Sequence, residues 1–404
     1  MKRYDTYKDS GVQWLGEIPG HWECVPLKYF IETKSGTAIN VKELDDKGTY
    51  PVYGGGSPIG FCNKYNCEES EIIVGRVGAK CGCVTFPNKK VWATDNALII
   101  KTNLYPRFTA FVLVAADLNR LNAANAQPLI TGTKIKQVRI ALPGICEQHS
   151  IVSYLDDKCG KIDEWVTKKQ KEVEHLQELK QRVIADAVTR GLNPHVKMKA
   201  TNIPWLKEIP EHWEALRAKH MFNKEQRPVE EGDEIVTCFR DGEVTLRKNR
   251  RTTGFTEATD YSHYQHICKG DLVIHQMDAF AGSAGVSDSD GMGTPVLSVC
   301  TPKSANILNE YYAHIVRLMG KNGFILSLYR GIRERSSDFR FDTFANLWLP
   351  VPPFEEQKQI VTHITLKTSK IDKLIANITK EIDCIKEYKQ RLISDVVTGQ
   401  IKVC

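Results

Sequence analysis

The chain has 404 residues, 42% of them hydrophobic, and this length favours two or more domains over a single hydrophobic core. Its net charge of +6 at pH 7 is compatible with a nucleic-acid partner but does not require one. The first ten residues, MKRYDTYKDS, lack the apolar stretch of a signal peptide, and the longest apolar run, FVLVAADL from Phe111, is too short for a membrane helix. We therefore expect a cytoplasmic protein without a membrane span.

The twelve cysteines are scattered along the chain, which favours free thiols over a disulfide framework. The closest groups are Cys62 with Cys67 and Cys81 with Cys83, and neither has the CxxC spacing that is typical of a structural zinc site. The sequence therefore predicts no metal site.

Several stretches recur in the second half of the chain and divide it into two repeats. The pairs are WLGEIPGHWE at 14–23 with WLKEIPEHWE at 205–214, EQHSIV at 147–152 with EQKQIV at 356–361, and KQRVIADAVTRG at 180–191 with KQRLISDVVTGQ at 389–400. The distance between partners grows from 191 to 209 residues, so the second middle region is longer by 18. We expect domains at 1–146 and 193–355, and long helices at 147–192 and 356–404.

The two middle regions consist of short β-branched runs separated by Gly, Pro and Asn, which is typical of mainly β domains. A tight hairpin turn is predicted at Asp241-Gly242. EIIVGRVGAKCG at 71–82 and DLVIHQMDAFAG at 271–282 both predict a buried strand followed by a small-residue turn, and we expect them to be equivalent. A short helix is expected near 107–121 and another near 309–320.

The two long segments have apolar residues at alternating steps of three and four, the spacing of a coiled-coil seam. The seam positions are Val152, Leu155, Cys159, Ile162, Val166, Lys169, Val173, Leu176, Lys180, Val183 and Ala187 in the first helix, and Val361, Ile364, Thr368, Ile371, Ile375, Ile378, Ile382, Ile385, Lys389, Leu392 and Val396 in the second. Pairing of the two helices with each other is the simplest way to bury both seams.

Two alternatives stay open for these helices. Each could pack only on its own domain, or helices of another subunit could complete a larger bundle, since Ile at both seam positions favours more than two helices in parallel systems. Lys180 and Lys389 interrupt the seam at equivalent positions, where they either fix its register or extend to solvent at its end.

No catalytic motif stands out in the sequence. GGGSPIG at 54–60 lacks the Lys-Ser or Lys-Thr pair of a phosphate-binding loop. VPPF at 351–354 resembles the polar-Pro-Pro-aromatic motif of enzymes that methylate base amines, but Val351 cannot hydrogen-bond a target amine. The histidines of HYQHICKGD, with Cys268, His275 and Asp278, match no metal-ligand spacing and are interpreted as ordinary surface and core residues.

The order and duplication of these motifs resemble the specificity subunits of Type I restriction-modification enzymes. The resemblance rests on WLGEIPGHWE, on YPVYGGGSPIGFC with EIIVGRVGAKCG and WATDNALI, on the LP…EQ junction, and on KQRVIADAVTRGLNP. It implies an α+β fold with two mainly β target recognition domains, joined by two long helices that form an antiparallel coiled coil with a pseudo-two-fold repeat.

The resemblance also implies a function and partners. Each domain would read one half of a bipartite, asymmetric site on double-stranded DNA, and the helices would set the spacing between the halves. Two methyltransferase subunits, which carry S-adenosylmethionine, and restriction-translocase subunits would bind the chain, which would not itself be catalytic. The seam residues are the expected helix-pairing or partner-binding positions.

Base reading needs Arg, Lys, Asn or Gln at groove edges, and these residues occur in the predicted turns. The candidate DNA-binding residues are Gly55, Gly56, Arg76, Lys80, Thr94 and Asn96 in the first domain, and Arg247, Lys248, Arg250, Arg251, His275, Gln276, Arg333 and Arg335 in the second. A non-catalytic scaffold that binds nucleic acid and dimerises through its helices is the alternative, and a self-contained DNA methyltransferase is disfavoured because its motifs are missing.

Overall fold

The computed structural model describes residues 2–121, 129–253, 261–328 and 338–403, which form two compact units. Unit 1 consists of Met1–Glu172 and Asn377–Cys404, and unit 2 consists of Val173–Ala376. Each unit therefore contains part of both long helices.

Unit 1 is a mainly β domain. Its strands are β1 Tyr7–Asp9, β2 Glu17–Pro19, β3 Glu23–Pro26, β4 Ile31–Ser35, β5 Tyr50–Tyr53, β6 Pro58–Cys62, β7 Ile72–Gly75, β8 Val84–Thr85, β9 Trp92–Ala93, β10 Ala97–Thr102 and β11 Arg139–Leu142. Its shorter helices are α1 Pro106–Ala115 and α2 Gly132–Lys136, followed by the long helix α3 Ile145–Arg190. The central sheet has the order β4-β10-β7-β8, and a smaller sheet has the order β6-β5-β9.

Unit 2 repeats this arrangement. Its strands are β12 Met198–Ile203, β13 Leu206–Pro210, β14 Glu214–Arg217, β15 Phe222–Glu225, β16 Val236–Cys238, β17 Val244–Leu246, β18 Gln265–Ile267, β19 Leu272–His275, β20 Ala284–Val286, β21 Gly291–Gly293, β22 Leu297–Pro302 and β23 Trp348–Val351. Its helices are α4 Asn309–Lys321, α5 Phe324–Ser327 and α6 Phe341–Ala345, followed by the long helix α7 Phe354–Val397. The central sheet has the order β15-β22-β19-β20.

The central strands of the two sheets are equivalent residue by residue. Gly75 in β7 is paired with Ala97 in β10, and His275 in β19 is paired with Leu297 in β22, each 200 positions later. Both strands are antiparallel to both neighbours. The predicted equivalence of the segments at 71–82 and 271–282 is confirmed.

The predicted hairpin at Asp241-Gly242 is also confirmed, because β16 and β17 are antiparallel around it.

The first turn of each long helix is fixed by a Glu-Gln pair. The side-chain amide of Gln148 donates to the carbonyl of Pro143 (3.0 Å), and that of Gln357 donates to the carbonyl of Pro352 (2.9 Å). The side-chain oxygen of Gln148 accepts the backbone N–H of Tyr105, the residue before α1. In the same way, the side-chain oxygen of Gln357 accepts the backbone N–H of Leu308, the residue before α4. Because these glutamines are buried, their hydrogen bonds fix where the helix leaves the domain.

The preceding glutamate binds the repeated His-Trp pair. Glu147 accepts the indole N–H of Trp22 (3.0 Å) and lies 3.0 Å from His21 Nε2. Glu356 accepts the indole N–H of Trp213 (3.0 Å) and lies 2.8 Å from the Nε2 of its adjacent histidine. Both indoles are fully buried, so the two most similar motifs of the chain form one joint that occurs twice.

The long helices pair antiparallel within each unit. In unit 1, Lys389 Nζ lies 2.6 Å from a carboxylate oxygen of Asp163, and in unit 2, Lys180 Nζ lies 2.7 Å from one of Asp372. Every seam position predicted from the sequence is buried or half-buried. The α+β fold, with two mainly β domains and a long antiparallel helix pair, is confirmed.

The main hydrophobic core of each unit lies between the sheet and the ends of both long helices. In unit 1 the core includes Trp22 and Leu155, together with Leu392 and Val396 near the end of α7. In unit 2 it includes Trp213 with Val188 from α3 and Ile360 from α7. Across the described ranges, no helix is both long and apolar enough to cross a membrane.

Candidate nucleic-acid interface

In unit 1, most of the predicted DNA-binding residues lie in turns at one end of the central sheet. Turn cluster 1 consists of Gly55, Gly56, Arg76, Lys80 and Asn96. It is formed where β5 and β7 end and where β10 begins. Lys80 and Asn96 are exposed, and Arg76 is half-buried. These turns therefore present an ammonium, a guanidinium and a carboxamide close to one another.

The glycines of cluster 1 allow two turns to pack closely. A Cβ at Gly55 would lie 3.1 Å from Lys80 Cβ, and one at Gly56 would lie 3.0 Å from Cys83 Cβ. A Cβ at Gly75 would lie only 1.9 Å from the carbonyl oxygen of Gly55. Since this packing leaves no room for larger residues, the glycines position Lys80.

Arg76 is held through its backbone on both sides. Its N–H donates to the carbonyl of Asn96 (2.9 Å), and its own carbonyl accepts the N–H of Ile130 (3.0 Å). Nη1 of its guanidinium donates to Ser35 Oγ at 3.4 Å. Thr94, also predicted to bind DNA, is only 4% exposed, and its Oγ1 accepts the N–H of Asn96 (3.3 Å). Thr94 thus shapes the turn that carries Asn96.

In unit 2, the corresponding turns bring a different set of side chains together. Arg247, Arg251, His275 and Thr294 line one cavity of about 190 Å³. With Gln276, which follows His275, these residues are turn cluster 2. Arg333 and Arg335 lie outside the described residues.

His275 presents a hydrogen-bond donor in this cavity. Burial lowers the pKa of its imidazole, which favours the neutral form. Its Nδ1 accepts the backbone N–H of Asp278 (3.1 Å), so the proton of the neutral ring is on Nε2. The ring can therefore donate to an acceptor on a base edge or on a phosphate.

Two of the predicted basic residues are engaged in ion pairs on the surface of unit 2. Lys248 forms an ion pair with Glu234, and Arg250 lies 2.7 Å from Asp241 and 2.8 Å from Glu243. Arg250 also lies over the ring of Phe239. These contacts offset the charge of both residues.

Gln276 occupies the same position in unit 2 as Arg76 in unit 1. Its N–H donates to the carbonyl of Val296 (2.9 Å), and its own carbonyl accepts the N–H of Phe339 (2.9 Å). The side-chain amide of Gln276 makes two long contacts of 3.3 Å, to the carbonyl of Pro295 and to Ser298 Oγ. The same backbone frame thus presents a guanidinium in one unit and a carboxamide in the other.

The structure also brings together residues that the sequence did not connect. His266, Cys268 and Asp290 of unit 2 place three possible metal-ligand atoms within 4.8 Å of one another. The sequence drew attention to the first two but not to Asp290, because its proximity depends on the pairing of β18 with β21.

Comparison with known proteins gives a consistent result. Residues 19–175 match the family model of the Type I restriction modification DNA specificity domain. The MjaVIII specificity subunit of Methanocaldococcus jannaschii is 23% identical over 96% of this chain and 94% of its own length. The EcoprrI specificity subunit of Escherichia coli is 24% identical over 38% of this chain and 40% of its own length.

A solved structure from work on complex assembly and conformational transition of the type I R-M system has the same fold. It superposes with a TM-score of 0.65 at 14% identity and covers 95% of this chain and 99% of that one. The duplicated joint, the paired long helices and the matching domain model make the chain similar to the type I restriction enzyme specificity subunits.

Proposed function

We propose that this chain is the non-catalytic, sequence-reading subunit of a type I restriction-modification complex. Unit 1 reads one half of a bipartite site in double-stranded DNA through turn cluster 1, and unit 2 reads the other half through turn cluster 2. The observation that carries the proposal is the equivalence of Arg76 and Gln276 in matching backbone frames. Arginine pairs best with guanine and glutamine with adenine in the major groove, so the same position would read different bases in the two units.

The other residues of the clusters have supporting roles in this proposal. Lys80, Arg247 and Arg251 bind phosphates and position the units, because such contacts carry little sequence information. Asn96 and His275 add hydrogen bonds to base edges. Thr94 and the glycines at 55 and 56 act by shaping the turns, and Lys248 and Arg250 add positive charge only where their acidic partners release them.

The partners follow from the same proposal. Two methyltransferase subunits, which hold S-adenosylmethionine and modify adenine, bind along the helix pair, and restriction-translocase subunits join the complex. The seam residues are buried or half-buried, Ile371 and Ile378 each being 7% exposed. The outward apolar residues Leu366 and Leu374 of α7 are exposed and are the better docking positions for a methyltransferase subunit.

The proposal is tested by expressing the chain with a type I methyltransferase subunit and mapping modified adenines across a genome. We expect a stable complex and a single bipartite motif, and no such motif when the methyltransferase is expressed alone. Absence of a complex, or methylation without a bipartite pattern, would support the scaffold alternative instead.

The length of the helix pair should set the gap between the two half-sites. Deleting seven residues from each of α3 and α7 within their exposed middle portions preserves the seam register of both helices. We expect the mapped motif to keep its bases and to change its spacer. A change of bases with the spacer kept would contradict this role of the helices.

A further inference from the structure

Three side chains of unit 2 with metal-binding chemistry meet at one end of the ladder formed by β18 and β21. His266 lies within β18, Cys268 follows that strand, and Asp290 directly precedes β21. Ile267 is paired with Gly291, so the residues that flank this pair are brought to the same end of the ladder. The imidazole nitrogen, thiol sulfur and carboxylate oxygen all lie within 4.8 Å of one another.

His266 is oriented by a buried carboxylate. Its Nδ1 lies 3.1 and 2.9 Å from the two oxygens of Asp233, and both side chains are 8% exposed. A proton on Nδ1 leaves the lone pair of Nε2 free, and a carboxylate behind the ring is typical of metal-binding histidines. On the Nε2 side, Glu230 Oε1 lies at 4.0 Å and supplies a fourth possible ligand.

Unit 1 has an ion pair at the equivalent position. The bridge between Cys67 and Val91 corresponds to the pair of Ile267 and Gly291, so Glu68 and Lys90 occupy the places of Cys268 and Asp290. The ammonium of Lys90 lies 3.2 Å from Glu68 Oε2 and 3.1 Å from the hydroxyl of Tyr65. The chain itself therefore supplies the positive charge at this position of unit 1.

In unit 2, an acidic side chain replaces that lysine. Within the described part of the chain, no lysine or arginine forms an ion pair with Asp290 or Glu230. The neighbouring Arg227 lies 2.5 Å from Asp271 and 3.9 Å from Glu225, so its charge is already balanced. A thiol, an imidazole and two carboxylates thus converge where unit 1 has its ammonium.

We propose that unit 2 binds one zinc-type divalent cation through His266 Nε2, Cys268 Sγ and the carboxylate of Asp290, with Glu230 or a water molecule as the fourth ligand. Nitrogen, sulfur and oxygen ligands in a four-coordinate arrangement suit Zn²⁺. Ligand atoms in a tetrahedral zinc site lie about 3.5 Å apart, so the cluster needs only a small contraction. The thiol loses its proton to water as the Zn–S bond forms.

Such an ion would have a structural role. It would fasten the β18–β21 ladder to the loop at 226–235, which leads directly into β16. The backbone N–H of Met292 in β21 already donates to the carbonyl of Glu234 (2.8 Å). Because Arg247 follows the β16–β17 hairpin, the ion would hold one wall of turn cluster 2 in place.

Metal binding to the purified full-length chain tests the proposal. After chelator treatment, the protein is titrated with Co²⁺, and the thiolate-to-cobalt absorption and displacement by Zn²⁺ are followed. We expect one high-affinity equivalent, loss of the thiolate absorption in Cys268→Ser, and affinity weakened about 10- to 100-fold in Asp233→Asn, which loses the orienting carboxylate. Cys384→Ser, which removes an exposed cysteine on α7, is the matched control and should bind like the unaltered chain.

A double variant keeps the test decisive if single variants fail to fold. Cys268→Glu with Asp290→Lys rebuilds the ion pair of unit 1, so this protein should fold without metal and its Tm should not respond to Zn²⁺. The Tm of the unaltered chain should rise with Zn²⁺. The proposal is overturned if the unaltered chain gives no thiolate absorption, or if the double variant binds Co²⁺ equally well.

Discussion

The two units share a central sheet and a helix joint, and they differ in the side chains at their turns. Both have a four-stranded central sheet of the same order, and both bind a buried tryptophan to a glutamate in the first turn of a long helix. At the turns, by contrast, unit 1 presents Arg76 and Asn96, and unit 2 presents His275 and Gln276. The matching parts of the sequence form the sheets and the helix joints, and the dissimilar parts form the turns to which we assign DNA recognition.

The extra residues of unit 2 lie on both sides of its central strand. The distance between equivalent residues is 191 at the His-Trp motif, 200 at the central strands and 209 at the long helices. Half of the added length therefore falls before β19, in the region that contains β16 and β17 and leads to His266 and Cys268. The order of the central sheet is unchanged, whereas the three-stranded sheet β6-β5-β9 of unit 1 is replaced in unit 2 by the two-stranded sheets β16-β17 and β18-β21.

The largest expected effect comes from breaking the shared joint. Replacing Glu147 or Glu356 by alanine leaves a buried indole N–H without its acceptor, so each variant should lose about 3 kcal/mol of unfolding free energy. The change should appear in denaturant unfolding of the full chain, and it should be similar for both variants because the joints match. Glu164→Ala, on an exposed position of α3, should leave the unfolding midpoint unchanged. A large loss from only one joint would show that the frames are not energetically equivalent.

Acid should destabilise unit 2 through a buried histidine. Burial, together with the positive charge of Arg317, lowers the pKa of His314 in α4 to about 4. The unfolded chain binds this proton below about pH 6.5 and the folded chain does not, so stability present at neutral pH is lost as the pH falls from about 6.5 to 4. We expect unit 2 to lose about 3 kcal/mol of unfolding free energy over this pH range, measured by hydrogen exchange of its core amides. His314→Gln should remove this part of the pH dependence, and an unchanged pH profile would contradict the assignment.

The recognition difference can be tested with one substitution in each unit. Arg76→Ala and Gln276→Ala should each relax one base of a different half-site and weaken specific binding roughly tenfold, or about 1.4 kcal/mol. Selection from randomised duplexes by the complex with its methyltransferase measures both effects. Lys8→Ala is the control, because this lysine lies at an exposed position of β1 outside both turn clusters. If both variants altered the same half-site, the assignment of one half-site to each unit would be wrong.

The smallest effect is expected from the ion pairs between the long helices. Lys180→Ala removes the contact to Asp372, and Lys389→Ala removes the contact to Asp163. All four side chains are partly exposed, so each variant should change the unfolding free energy by less than about 1 kcal/mol, and added salt should reduce the difference. Thermal unfolding at low and high salt measures both. A loss of helix pairing in either variant would show that these lysines fix the register.

Local patterns predicted much of the fold. The steps of three and four marked buried positions along both helices, because burial along a helix follows its period. The Asp241-Gly242 pair predicted a hairpin because its backbone requirement is local, and Gly242 does have a positive φ of 89°. The helices predicted near 107–121 and 309–320 are confirmed as α1 and α4.

Features that depend on distant pairing could not be predicted in this way. Thr94 was chosen as an exposed polar residue next to Asn96, but its hydroxyl faces inward and accepts a backbone N–H. The charge of Lys248 is balanced by Glu234, fourteen positions earlier. Asp290 joins His266 and Cys268 only through the strand register, which the sequence around it does not specify.

Each unit depends on both repeats for its hydrophobic core. The core of unit 1 uses Leu392, Ile393 and Val396 from the second repeat, and the core of unit 2 uses Ala187 and Val188 from the first. A polypeptide made of one repeat would therefore have an incomplete core, and a second copy of that repeat could supply the missing helix end. Half of this chain should therefore fold only as a homodimer in which each copy completes the core of the other.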